Sequence, residues 1–465
     1  MMKKGKWKII SAAIIAAIIL PTLSGCNKKS AAEENKTVIT VGDWPTKDSS
    51  SYKSQEKIKE DFMKKYPDIV LKTDSYGYSI DTFAAKAAAK QLPTIFRTWF
   101  TEVDRLVDGG NCADVTEMME KYGYLAEMNP DLLELVARNG GRIYGIPKDA
   151  YAQGLYINKN MFRQAGLVND DGSIKIPDTY EDILEFSKII KEKTGYSGFA
   201  LPNGGNNGGW HLVNIAWSNG VEFCEQTDDG KWKATFDTPE FKQTLQWLYD
   251  LKWKYDAFPL DLDISRDNLN KMFAVDQVAM MFADPPNDGL VRYFGMKKED
   301  IMAAKMPKGT KDRVSQMGGN LYMIRPDATL EQMDACFKWL DFIGASPKLN
   351  DESIANMKSG FKDTIDNNGI VLDQSAFDLW VSSERVEKEK EIRKEFTNVD
   401  HKDYEDYYSF EGVKIRPEVP VCCQELYSVL DKCIQEIQTN ENVNLDALIK
   451  KSVGDWQKNY LDNIK

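Results

Sequence analysis

Short β-branched runs and longer amphipathic stretches follow one another along most of the chain. Thr37-Val38-Ile39-Thr40-Val41, closed by Gly42, predicts a strand. A charged segment carrying Ile58 and Phe62 predicts a helix that stops at Tyr66-Pro67, because proline cannot continue it. Ile69-Val70-Leu71 predicts a second strand, Phe83 to Gln91 an alanine-rich helix, and Pro93-Thr94-Ile95-Phe96 a third strand. Strands separated by helices in this way pair in parallel, since a parallel neighbour needs a crossover. The expected class is therefore α/β. Ligands of such sheets lie beyond the carboxyl ends of the strands. That rule selects Asp43-Trp44, Ser75-Tyr76 and Arg97-Thr98-Trp99-Phe100, each with an aromatic ring.

The pattern continues beyond Gly145-Ile146-Pro147 with Leu155-Tyr156-Ile157-Asn158. Asp178 is expected to cap a helix whose apolar positions are Ile183, Leu184, Phe186, Ile189 and Ile190. Asn203 to Gly209 is a loop by composition and leads into Trp210, Val213 and Trp217 on a helix. Further helices are expected at Phe241 to Tyr255 and Asn268 to Phe273. Val278 to Phe282 reads as a buried strand leading to Asp284-Pro285-Pro286, and Gly318-Gly319-Asn320 enters a strand at Leu321 to Ile324. Glu384 to Glu395 carries mixed charges at helical spacing, the mark of a solvated helix face. Asn169 to Gly172 reads as a turn, because Leu167 stands where a calcium loop would begin with an acid.

The N-terminus breaks the pattern. Lys3, Lys4, Lys6 and Lys8 precede an apolar stretch, Ile9 to Leu20, too short to span a bilayer and ordered like an export signal. Leu23-Ser24-Gly25-Cys26 resembles the bacterial lipoprotein signal, in which the cysteine thiol is acylated and becomes the mature N-terminus. The resemblance implies a signal peptide over 1–25, a lipid on Cys26, and a polar tether over 26–36 with a reach of about 18 Å. More than one acyl chain gives stable anchoring. The folded body is then expected on the outer face of a membrane, at the cell surface or in the periplasm.

Composition narrows the chemistry. Hydrophobic residues at 42% and charged residues at 28% are ordinary for a globular chain and exclude a wholly disordered one. The net charge of −12, without a basic block past the first residues, offers no footprint for nucleic acid. His211 and His401 are the only histidines and lie far apart, so no histidine-based metal site is expected, and no cofactor. Cys112, Cys224, Cys336, Cys422, Cys423 and Cys433 form no CxxC pair and are expected as free thiols.

Several segments in order resemble a known family. They are FMKKYP from Phe62, Gln91-Leu92-Pro93-Thr94, GRIYGIPKDAYAQGLYINKN from Gly141, Ile176-Pro177-Asp178-Thr179-Tyr180-Glu181-Asp182, Met272-Phe273 followed by Val278-Ala279-Met280-Met281, and Gly318-Gly319-Asn320. Together they resemble the extracellular solute-binding proteins of the sugar-binding type that serve ABC importers. The resemblance implies two α/β lobes of the periplasmic-binding-protein kind, joined by crossing hinge segments and closing on ligand. It implies an N-terminal lobe of 37–149 plus 304–345 and a C-terminal lobe of 150–303 plus 346–465. It also implies a monomer that binds without turnover and delivers an oligosaccharide to permease subunits with their ATPase.

Sugars present flat C–H faces and rings of hydroxyls, so their sites need aromatic planes and planar polar groups. Trp44, Trp99, Tyr151, Trp210 and Trp380 are the candidate stacking residues. Asp43, Arg97, Asp149, Asn206, Asn207, Asp284 and Asn320 are the candidate polar contacts. Where the family often has Gly-Pro-Trp, this chain has Asp284-Pro285-Pro286 and lacks that plane. Two other functions fit an exported body of this composition. A glycosidase would need a selected carboxylate pair, which no local motif supplies. An adhesin or glycan sensor could share the fold without a transporter.

Overall fold

The computed structural model describes residues 36–260 and 264–464. Cys26, the signal peptide and nearly all of the tether lie outside the described residues. Two hydrophobic cores form, each around its own sheet. The first sheet runs in the order Ile69–Thr73, Thr37–Val41, Ile95–Trp99, Val314–Ile324, with Ile146–Ala152 and Lys414–Arg416 also on the last of these. Thr37–Val41 pairs in parallel with both of its neighbours, as the β-α-β-α-β pattern predicts. The second sheet orders Ile301–Ala304, Gly154–Asn158, Val278–Ala283 and Ser197–Ala200. Its strand Val278–Ala283 is buried at every position, which explains its unbroken apolar sequence.

The lobes are joined where chains pass from one sheet to the other. Ile146–Ala152 belongs to the first sheet and Gly154–Asn158 to the second, with Gln153 at the crossing. The return passes from Ile301–Ala304 into the long strand Val314–Ile324, whose partner Ile146–Ala152 runs antiparallel beside it. Ala304, Met306 and Val314 still pack in the second core, so the return crossing lies within that strand rather than at 304.

The expectation that 346–465 belongs wholly to the second lobe is corrected by the packing. Arg385, on the helix Ser383–Phe396, donates to the carbonyls of Gly344 and Ser346. Trp380 packs in the first core, edge-on to Tyr124 at 5.6 Å. Ile370 and Leu372 pack in the second core. The chain thus crosses the interface repeatedly between 346 and 404 before it settles into the second lobe at Tyr404 and Tyr407.

Local signals mostly hold, with shifted ends. The third strand extends to Trp99, so Arg97 and Thr98 lie in it rather than after it. The helix Tyr180–Thr194 is capped by Thr179, in a reciprocal pair with Asp182, and not by Asp178, whose carboxylate pairs with Arg313 instead. The helix expected over 241–255 spans Pro239–Tyr249 and then widens into a π-turn, Asp250–Lys254. The cysteines described are free. No helix among the described residues is long and apolar enough to cross a membrane.

Candidate functional site

A cavity of about 230 Å³ opens between the lobes. Trp99, the last residue of its strand, enters from the first lobe. Tyr151 comes from the crossing strand, and Asn206, Asn207 and Trp210 come from the start of the helix Asn207–Ser218 in the second lobe. The rings are held by other rings: Trp99 stands edge-on to Tyr78 at 5.3 Å, and Tyr151 edge-on to Trp210 at 6.3 Å. Gly318 makes the room, since a Cβ there would lie 2.6 Å from the Tyr151 ring.

The helix start is held by an unusual cap. Asn206 takes a left-handed conformation, φ 65°, which asparagine tolerates. Asp431, from the helix Cys423–Thr439, accepts from the backbone N–H of Asn206 at 2.8 Å and of Gly209 at 2.7 Å, serving the orphan donors that no N-cap side chain serves. Burial pushes the Asp431 carboxyl up to about 6, against the pull of those donors. Gly209 lets the two helices touch, because a Cβ there would lie 2.3 Å from the carbonyl oxygen of Tyr427.

Behind the cavity, the crossing strands carry a buried polar network. Gln153 accepts at Oε1 from Asn214 at 3.1 Å and pairs with Nδ1 of His211 at 2.6 Å. Its Nε2 donates to Gln316 Oε1 at 3.3 Å. Gln316 donates to the hydroxyl of Tyr427, which donates to Glu418 at 3.1 Å on the cavity wall. Burial holds His211 down to about 3, so it is neutral here. Burial likewise pushes Glu418 up to about 8. Arg266 completes the wall and is tied by Nη2 to Asp284 at 2.9 Å.

Through Glu418 and Gln424 the cavity continues into a groove of about 680 Å³, walled by Phe100 to Asp108 and Glu134 to Arg138 of the first lobe and by 417–425 of the second. Gln424 crosses this groove, accepting from Asn206 Nδ2 at 3.2 Å and donating to Thr101 Oγ1 at 3.3 Å.

The two-lobed α/β body is matched by independent comparisons. The family model for bacterial extracellular solute-binding proteins matches residues 57–359, more than half of the chain. The chain belongs to that family. The melibiose/raffinose/stachyose-binding protein MelE of Bacillus subtilis is 25% identical over 185 residues, covering 39% of this chain and 40% of that relative. The multiple sugar-binding protein of Streptococcus mutans is 23% identical over 213 residues, covering 45% and 48%. The chain spans less than half the length of these curated relatives. Among solved structures, the GacH receptor of Streptomyces glaucescens superposes with a TM-score of 0.66 at 16% identity, covering 92% of this chain and all of that one. Maltose-bound MalE3 of T. maritima gives 0.67 at 19%, covering 90% and 99%. These superpositions establish the two-lobed fold. The family and these relatives are binding proteins, not enzymes.

In this solute-binding protein the sequence-selected residues fall into four groups. Trp99, Tyr151, Asn206, Asn207 and Trp210 share the cavity. Asp43, Arg97, Asn320 and Asp149 form a chain beside it with Lys148. Arg97 Nε meets Asp43 at 2.6 Å, Asn320 donates to Asp149 at 2.7 Å, and Lys148 meets Asp149 at 2.6 Å. Asp284 lies behind Arg266. Trp44 and Trp380 are corrected to core residues. Trp44 turns back from the strand end, packs 6.0 Å from Trp339 and donates from Nε1 to Glu56, while Trp380 is buried against Tyr124 and Arg385. Arg266, Glu418, Gln424 and Tyr427 escaped the sequence reading. Each sits on a helix or loop with no local motif, and only the fold brings them to the wall.

Proposed function

We propose that this solute-binding protein is the capture component of an ABC importer and holds a carbohydrate, an oligosaccharide, in the cleft between its lobes. One observation carries the reading. Trp99, Tyr151 and Trp210, drawn from the first lobe, the crossing strand and the second lobe, surround one cavity together with planar amides and a guanidinium. Rings of this kind stack on the C–H faces of pyranoses, and Asn206, Asn207 and Arg266 supply hydrogen bonds to hydroxyls. The groove beyond Glu418 gives room for further residues of a chain. Relatives named for melibiose, raffinose and stachyose, and for multiple sugars, agree with it. Contacts from both lobes make the closed state the tighter binder, so ligand shifts the population toward closure. A monomer anchored through a lipid on Cys26 would present the loaded cleft to permease subunits, and the ligand would leave chemically unchanged. Screening the body from Asn27 against oligosaccharides by thermal shift tests the reading. Binding raises the melting temperature in proportion to RT ln(1 + [L]/Kd), and no shift with any glycan of a broad panel would refute it.

A further inference from the structure

Of the two charged residues that line the cavity, Arg266 and Glu418, Glu418 lacks a counter-ion. Arg266 is matched by Asp284 at 2.9 Å. Arg97 and Lys148 are matched by Asp43 and Asp149 at 2.6 Å each. Among the described residues no lysine, arginine or histidine pairs with Glu418, whose partners are the hydroxyl of Tyr427 at 3.1 Å and the side chain of Trp210. The other titratable groups acting on it are Glu102, from across the groove, Cys423 and Tyr151, and none is a cation. Glu418 lines both the cavity and the groove, and Trp99, Tyr151 and Trp210 line the cavity with it.

We infer that Glu418 selects a ligand bearing a protonated amine, an amino sugar within the carbohydrate reading proposed above, on which this inference rests. An acid without a cation, set among aromatic rings, is what a bound ammonium group requires. The rings attract the cation through their faces, and the carboxylate supplies the opposite charge. The cavity otherwise brings no net charge, because Arg266 is already neutralised, and an acidic sugar would face Glu418 and Glu102 together. In the empty protein burial keeps the proton on Glu418 below pH 8 or so. An arriving ammonium group pairs with the carboxylate and sends that proton to solvent, so charge is conserved in the exchange. The network behind it fixes the donor directions: Gln316 donates to Tyr427 and Tyr427 donates to Glu418, which leaves the remaining lone pairs of the carboxyl for ligand.

The test is titration calorimetry of the body from Asn27 with glucosamine oligomers and galactosamine oligomers, each beside its N-acetylated form and the corresponding neutral hexose oligomer. A charge-assisted hydrogen bond predicts that the free-amine form of the preferred series binds about tenfold tighter than its acetylated form. Glu418→Gln should bring that ratio to about one, whatever it does to the affinity shared by all three forms. In the unmutated protein, binding the amine should release protons below pH 8 or so, seen as an enthalpy that changes with buffer, which tests the inference even where the variant folds poorly. Equal or tighter binding of the acetylated or neutral forms overturns the amine inference and leaves carbohydrate binding standing. Binding of no glycan at all overturns the carbohydrate reading and this inference with it.

Discussion

Thr101 and Gln424 meet across the open groove at 3.3 Å, one at the first turn after the Trp99 strand and the other in the first turn of the helix Cys423–Thr439. The next residue repeats the contact, with Arg105 lying 3.8 Å from Glu425. Both first-lobe partners hang on the buried carboxylate of Glu102, which Arg105 and Thr101 engage together with Tyr78, the ring that braces Trp99. The Trp99 ring on the cavity wall and the contacts that hold the lobes together are therefore one connected structure.

Removing that latch should favour the open state. Gln424→Ala with Glu425→Ala is expected to enlarge the radius of gyration in solution scattering and to weaken every ligand by a similar factor. Each pair contributes only about 1 kcal/mol, so the loss should be about fivefold to thirtyfold. An unchanged scattering profile with unchanged affinity would show the bridge to be incidental.

Two tryptophans should separate binding from folding. Trp99→Ala is expected to cost about 1 to 3 kcal/mol of ligand affinity, through lost area and ring contact, with little loss of stability. Trp44→Ala is expected to cost about 3 to 5 kcal/mol of unfolding free energy, because its ring is buried against Trp339. Calorimetry and denaturant melts on both variants would reverse the assignment if Trp99→Ala collapsed the melt and left affinity intact.

This pair also shows how far the sequence reached. Both tryptophans end or follow a strand of the same sheet, and the strand-end rule selects both. The turn that sends Trp44 inward depends on Asp43 taking φ 58° and on hydrogen bonds from Asp43 and Trp44 to the carbonyls of Tyr76 and Asp74, which no local pattern encodes. The α/β class and Trp99 were legible because strand runs and aromatic residues at strand ends are local signals, whereas the two lobes and Tyr151, Asn206, Asn207 and Trp210 were reached through the family resemblance. Glu418 and Gln424 were not, because a charged residue on a loop and a polar one in a helix's first turn gain meaning only from what the first lobe brings opposite. The lobe boundary near 346 failed for a related reason. Trp380 and Arg385 are long-range core partners of the first lobe, and nothing near them in sequence says so.

Stability should fall with rising pH on account of Glu418. Its carboxyl titrates near 4.5 when unfolded and near 8 when folded, chiefly through burial. The folded state thus binds the extra proton, and the contribution is fully present below about 4.5 and lost as pH rises through about 8. Glu418→Gln should flatten this part of the melting-temperature profile and melt higher than the parent above pH 8 or so. Parallel profiles for the two proteins would contradict the assignment.

Cys26→Ala in the full chain is expected to release the protein from the membrane fraction with the body still folded. Retention as tight as the parent's would rule out the lipid anchor.

The most direct measurement is a crystal structure of the body from Asn27 with the tightest glycan from the panel. Pyranose rings stacked on Trp99, Tyr151 and Trp210, under a groove bridged by Gln424, are the predicted result. A glycan bound outside the cleft, touching none of these three rings, would contradict it.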